Sequence, residues 1–209
     1  MGKINCTGPI EEIPEKVLRM YDAVQQLIEE GESVSDIRVS AITERAGIGK
    51  GTAYEYFDTK EEILAGAFIY YVRLMVKRLN DEWMKMDTLR EQINFLFDDL
   101  DKESQKKYYF VRFMHEVTGN TKFGNMVKEK LSASPDTRQF PVYLFGNIIH
   151  MGVERGEING GIPVDYLIYT VFCKVLTYMM CICTEDCFDT DIRKLRSLII
   201  EGILREMRG

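Results

Sequence analysis

The stretch "AGIGKGTAYEYF", Ala46 to Phe57, decides how the rest of the chain is read. It sets glycines at 47, 49 and 51 and follows them with an aromatic run. Two readings compete: a loop that cradles a nucleotide phosphate, or the turn and reading helix of a DNA-binding motif. A phosphate loop needs glycine, four residues, then Gly-Lys-Ser/Thr, between a strand and a helix. Here Gly49-Lys50 is followed by Gly51, Glu44 stands where the first glycine belongs, and the preceding residues have helical spacing. The dinucleotide pattern Gly-x-Gly-x-x-Gly also fails, at Thr52.

A helix-turn-helix accounts for each part. It needs two short helices joined by a tight turn that often contains glycine. Val39, Ile42 and Ala46 share one helical face, Gly47 can adopt the left-handed stop, and Ile48 can plug the corner. Gly49 stands where the next helix needs its N-cap, a place glycine fills nearly as well as serine. Gly51 weakens that helix by about 1 kcal/mol relative to alanine. The cost is reasonable if a side chain there blocks close approach to the first helix or to a phosphate. Lys50, Thr52, Tyr54 and Tyr56 then offer a cation and three hydroxyls, groups that hold DNA phosphates.

Working outward, helical periodicity dominates. Val17, Tyr21, Val24 and Ile28 fall on one face, widened by Met20 and Leu27, with Pro14 at the start and Gly31 at the stop. After the reading helix, Asp58 or Thr59 can cap a helix from Lys60 past Trp83, with Glu61 and Glu62 in its first turn. Further helices are expected over roughly 88–103, 106–117, 122–132, 136–155, 163–184 and 189–207. No stretch alternates convincingly with period two, and no internal repeat or low-complexity segment is seen. The expected class is all-α.

The 209 residues suffice for one large or two small domains, and 45% hydrophobic with 29% charged residues reads as globular. A net charge of −6 does not suggest a nucleic-acid binder, so any basic surface must be local. Even residues 37–60 hold only Arg38, Arg45, Lys50 and Lys60 against Glu44, Glu55 and Asp58. Affinity for DNA should then rest on dimerisation, backbone amides and tyrosine hydroxyls as well as on cations. Five cysteines (Cys6, Cys173, Cys181, Cys183 and Cys187), an odd count without a visible export signal, favour reduced thiols and a cytoplasmic location. The apolar stretch "YLIYTVFCKVLTYMMCICT" carries Lys174 near its middle, which favours a buried helix over a membrane span.

The run "IRVSAITERAGIGKGTAYEYFDTKEEIL" resembles the DNA-binding segment of the tetracycline-repressor (TetR) family of bacterial transcription regulators. The shared pattern includes Ile42, Ala46-Gly47-Ile48, Lys50-Gly51-Thr52, Tyr54, Tyr56-Phe57 and Lys60-Glu61, and the likeness extends over about the first sixty-five residues. The resemblance implies a three-helix helix-turn-helix DNA-binding domain over 1–60. A connecting helix from about 60 then leads into a helical ligand-sensing and dimerisation domain over 61–209. It also implies that Lys50, Gly51, Thr52, Tyr54, Tyr56 and Lys60 touch double-stranded operator DNA, mostly its backbone. Thr43, Ala53 and Glu55 depart from the family pattern. Glu55 can repel phosphate, accept from cytosine N4, stay solvated or pair with an arginine. The segment "HMGVERGEI" resembles the helix end before the last two helices of the family, which implies that helices near 163–184 and 189–207 form a homodimer interface.

The C-terminal part is rich in aromatic residues and methionine. That composition fits a packed core and equally fits a pocket for an apolar or aromatic effector. Candidate lining residues are Phe113, His115, Phe145, Tyr169, Phe172 and Cys173. Either histidine, His115 or His150, could be paired with Cys173 as a nucleophile, but no spacing requires it, so no catalytic site, enzyme activity, cofactor or metal site is expected. Cys173, Cys181, Cys183 and Cys187 are read as small apolar side chains, with metal or redox sensing as the competing reading. The function expected is a ligand-responsive regulator, a repressor acting as a homodimer on a pseudo-palindromic operator. The alternative is a helical small-molecule-binding or interaction protein with a degenerate helix-turn-helix.

Overall fold

The computed structural model describes residues 9–103, 121–133, 140–184, 189 and 191–209. Among them the chain is helical, with no strand. A single 3-10 turn, Ile10–Glu12, precedes α1 (Glu15–Glu29), α2 (Val39–Arg45), α3 (Lys50–Tyr56), α4 (Lys60–Trp83) and α5 (Leu89–Glu103). These are followed by α6 (Lys122–Ala133), α7 (Phe140–Glu154), α8 (Val164–Cys183) and α9 (Ile192–Arg208). The helix expected over 106–117 lies outside the described residues, as do the side chains of Phe113 and His115. The described chain separates into two compact units: the chain up to Met75 together with α6, and the chain from Val76 onward without it.

In the first unit, α1 buries Val17, Met20, Tyr21, Ala23, Val24 and Leu27, the face its periodicity marks. Gly31, at φ +97°, ends α1 in the left-handed region that only glycine enters freely. Ile42 of α2, Ala53 and Tyr56 of α3, and Ile63, Leu64 and Ala67 of α4 close over that face. Each large aliphatic side chain removed from water here contributes about 1.5–3 kcal/mol before entropy is charged against it. Phe123 and Val127 of α6 join the same core, with Met126 packed against it.

The second unit gathers α5, α7, α8, α9 and the end of α4. Trp83 sits fully buried near Phe145, with ring centroids 6.3 Å apart. Its indole N–H donates to the Gln92 carbonyl, and the Gln92 amide donates back to the Trp83 carbonyl, each at 3.1 Å. That reciprocal pair satisfies donors that are costly to leave unpaired in a core. The segment after α7 behaves as "HMGVERGEI" suggests. Gly156 turns the chain at φ +71°, and the Glu157 N–H donates to the Gly152 carbonyl at 2.8 Å. A Cβ at Gly152 would stand 2.6 Å from Ile158 Cδ1, so the packing there needs glycine or a shifted isoleucine. The Glu157 carboxylate accepts the Leu89 N–H at the start of α5, at 3.0 Å.

Candidate nucleic-acid interface

The reading helix is built as its sequence requires. α2 ends at Arg45, Gly47 takes φ +63°, and the Ile48 N–H returns to the Thr43 carbonyl at 2.9 Å. Gly49 is the extended N-cap of α3, at φ −77° and ψ 151°. Ile48 is half-buried against the core, as a corner plug should be. α3 is closed by Phe57, which is buried, and α4 restarts at once. The Thr59 hydroxyl accepts the Glu62 N–H at 3.2 Å, and the Glu62 carboxylate reaches back to the Asp58 N–H at 2.7 Å. Of the two expected caps, Thr59 is the one whose side chain does this work.

Seven residues make α3 two-sided. Ala53 and Tyr56 point into the core, while Lys50, Gly51, Tyr54 and Glu55 are exposed and Thr52 is half-exposed. Tyr54 is the most exposed aromatic residue of the helix, at 54%. Tyr56 is buried, at 8%, so it anchors α3 to the core as well as carrying one of the expected hydroxyls. Ala53 is fully buried, which explains why a small side chain stands there. Nothing among the described residues lies within 4 Å of a Cβ built on Gly51, so close packing on the first helix does not require glycine in preference to alanine there.

Lys50, Tyr54 and Lys60 line an open groove of about 660 Å³ together with residues 35–40. Among these is Arg38, the N-cap residue of α2, which is exposed and makes no ion pair among the described residues. Arg38 entered the sequence reading only as a charge. Its position one residue before the apolar face of α2 was the available signal. Lys60 donates to the Ser35 carbonyl at 2.8 Å, so its ammonium is fixed at the groove wall with two further donors to offer. Arg45 points elsewhere: it pairs with Glu30 at 2.7 Å, a contact that raises its pKa further. The groove thus collects three cations against one carboxylate, Asp36, on a chain of net charge −6.

Behind the helix-turn-helix, Tyr71 of α4 donates to Asp22 of α1 at 2.6 Å. Burial first, and the Asp22 carboxylate second, push the Tyr71 phenol well above its ordinary range. Tyr70 stacks at 5.6 Å from Tyr21, which in turn lies 6.2 Å from Phe57 at the end of α3. This aromatic chain fixes α3 and α4 to α1.

The candidate effector residues do not share one face. Phe145 is buried in the core of the second unit, and Phe172 is half-buried. Tyr169, at 64%, and Cys173 are exposed, so they do not join Phe145 in the core. They belong instead to an outward stripe of α8: Tyr166, Tyr169, Cys173 and Met180, at i, i+3, i+7 and i+14. Leu198 of α9 is also exposed, at 59%. Cys173 and Cys181 are free thiols, exposed and half-exposed rather than packed away as small apolar side chains, while Cys6, Cys187 and the side chain of Cys183 lie outside the described residues. No group of three or more His, Cys, Asp or Glu able to hold a metal occurs among the described residues. By length and composition α8 could cross a membrane over Val164–Ile182. Its opposite face is buried on Leu167, Ile168, Val171, Val175 and Tyr178, and Lys174 pairs with Glu206 of α9 at 3.1 Å.

Residues 23–67 match the family described as bacterial regulatory proteins, tetR family. No match is found among curated proteins. Solved structures with the same fold include the fatty acid degradation regulator FadR from Bacillus halodurans, with TM-score 0.67 and 20% identity over 92% of this chain and 96% of that one. FadR from Bacillus subtilis in complex with stearoyl-CoA gives 0.64 and 20% over 90% and 97%. A TetR family transcription regulator from Marinobacter aquaeolei VT8 gives 0.59 and 17% over 91% and 94%. The family match thus covers the helix-turn-helix and the start of α4, and the chain as a whole shares the all-helical fold of these solved regulators.

Proposed function

We propose that the chain is a TetR-family regulator that acts as a homodimeric repressor, reads a pseudo-palindromic operator with the exposed face of α3, and is released by an apolar effector. The observation that carries this reading is the groove where Arg38, Lys50 and Lys60 stand beside Tyr54 on an otherwise acidic chain. Cations and hydroxyls at one wall, with an exposed tyrosine beside them, suit a phosphate backbone followed into a major groove. In this reading Lys50, Gly51, Thr52, Tyr54, Glu55, Lys60 and Arg38 face DNA, and Tyr56 holds α3 in place. Gly51 keeps the helix surface low where the duplex approaches.

The dimer contact assigned to α8 and α9 is supported by the stripe of Tyr166, Tyr169, Cys173 and Met180, with Leu198. Apolar side chains at helical spacing on an outward face are the pattern of a surface that a second copy covers. In the dimer the α8 stripe is covered, and the chain works in the cytoplasm, with residues up to 60 serving DNA and those beyond serving sensing and assembly. A long acyl chain is the first effector class to test, because a regulator of this fold was solved with stearoyl-CoA. To release DNA, the effector must bind the non-fitting dimer better than the fitting one. Reversing a 99:1 population takes about 5.5 kcal/mol of such preference.

The test is a titration of labelled DNA from upstream of the chain's own gene, with and without stearoyl-CoA and free fatty acid. Selective binding weakened by one of them supports the reading. Selective binding that no acyl compound changes removes that effector class and leaves the DNA reading standing.

A further inference from the structure

The exposed face of α3 carries a carboxylate where the helix has to meet a polyanion. Glu55 is exposed, and among the described residues its side chain makes no hydrogen bond or ion pair. The nearby cations are committed or placed elsewhere. Arg45 is held by Glu30, Lys60 by the Ser35 carbonyl, and Lys50 lies five residues back on the groove side with Arg38. Glu55 stands beside Tyr54 and one turn after Gly51, where no side chain rises between the helix and whatever approaches it. A carboxylate there is acceptor-only and negative, so every phosphate and every acceptor edge repels it.

We infer that Glu55 is a specificity-determining residue that accepts a hydrogen bond from cytosine N4 at one position of each operator half-site. The inference rests on the reading of α3 as the DNA-facing helix. In the major groove, guanine offers only the N7 and O6 acceptors, and thymine offers the O4 acceptor and a methyl group. Adenine offers its N6 donor with the N7 acceptor beside it, so a carboxylate gains one contact and meets one repulsion. Cytosine offers N4–H₂ with no acceptor of its own in the groove, only its C5–H on the side away from guanine O6, and it is the base edge that a glutamate satisfies best. Glu55 therefore acts twice. It rewards one base and penalises all other DNA through its charge, which lowers non-specific affinity on a surface with few cations.

The experiment is a random-sequence DNA selection run in parallel on the full-length chain, Glu55→Gln and Glu55→Ala, followed by anisotropy on the enriched site and on scrambled DNA. The wild-type site should carry cytosine at one position per half-site. Replacing that cytosine should weaken binding by about 10- to 100-fold. Glu55→Gln should move the preference towards adenine, whose N6 and N7 an amide engages together. Glu55→Ala should lose preference at that position and bind scrambled DNA more tightly than wild type. Identical base preferences in all three proteins, at unchanged affinity for scrambled DNA, overturn the inference alone. A wild-type chain that enriches no sequence overturns both the inference and the DNA-binding reading beneath it.

Discussion

Tyr54 and Tyr56 stand two residues apart on one short helix and do opposite work, because α3 is buried on one side and bare on the other. Tyr54→Ala should leave the unfolding midpoint in urea within about 0.5 kcal/mol of wild type, as for a surface substitution. Its cost should appear in DNA binding. Tyr56→Ala removes a core ring and should cost about 3 kcal/mol, measured in the same urea series. Gly47→Ala should cost about 1–2 kcal/mol, since alanine at φ +63° pushes Cβ towards its own carbonyl. The glycine turn was legible in the sequence because a left-handed residue between two apolar helical faces has few alternatives. The burial of Tyr56 was not, because the tyrosines differ only by which way a two-turn helix rolls onto α1. Glu55 was legible as an anomaly, and the absence of a partner side chain among the described residues is what the structure adds.

At the scale of elements, the link from α1 to α4 runs through Asp22 and Tyr71. Tyr71→Phe should cost about 1 kcal/mol at neutral pH, the usual worth of such a bond on a half-exposed residue. Its pH dependence has a definite sign. Burial and Asp22 raise the phenol's pKa in the folded chain, so its stabilisation is complete below the ordinary tyrosine value near 10. That stabilisation is lost as pH rises from there through the folded value. Urea unfolding between pH 8 and 11 should show this alkaline loss diminished in Tyr71→Phe. The helices from Glu15 to Trp83 and the last two were readable from their stripes and stops. That Phe123 and Val127 of α6 complete the core around α1 was not, since a contact across roughly a hundred residues leaves no local periodicity.

For the whole molecule, the outward stripe of α8 makes assembly the quantity to measure. Tyr169→Glu puts a charge where a second copy should sit, and it should convert a dimer into a monomer in sedimentation velocity with helical content unchanged by circular dichroism. A variant that stays dimeric would move the interface elsewhere. The aromatic and methionine content of the C-terminal half could not separate an interface from a pocket, because both demand the same apolar residues. Exposure separated Tyr169 and Cys173 from Phe145, and only a fold supplies exposure. Whether the bare face of α3 reads DNA is decided by one assay on the full chain. It is fluorescence anisotropy of operator and scrambled DNA across a salt series, with wild type, Lys50→Ala and Tyr54→Ala. Operator-selective binding should fall steeply with salt, with a log–log slope shallower by about one in Lys50→Ala and selective binding lost in Tyr54→Ala. Equal affinity for operator and scrambled DNA, or selective binding that both substitutions leave untouched, would contradict the DNA reading.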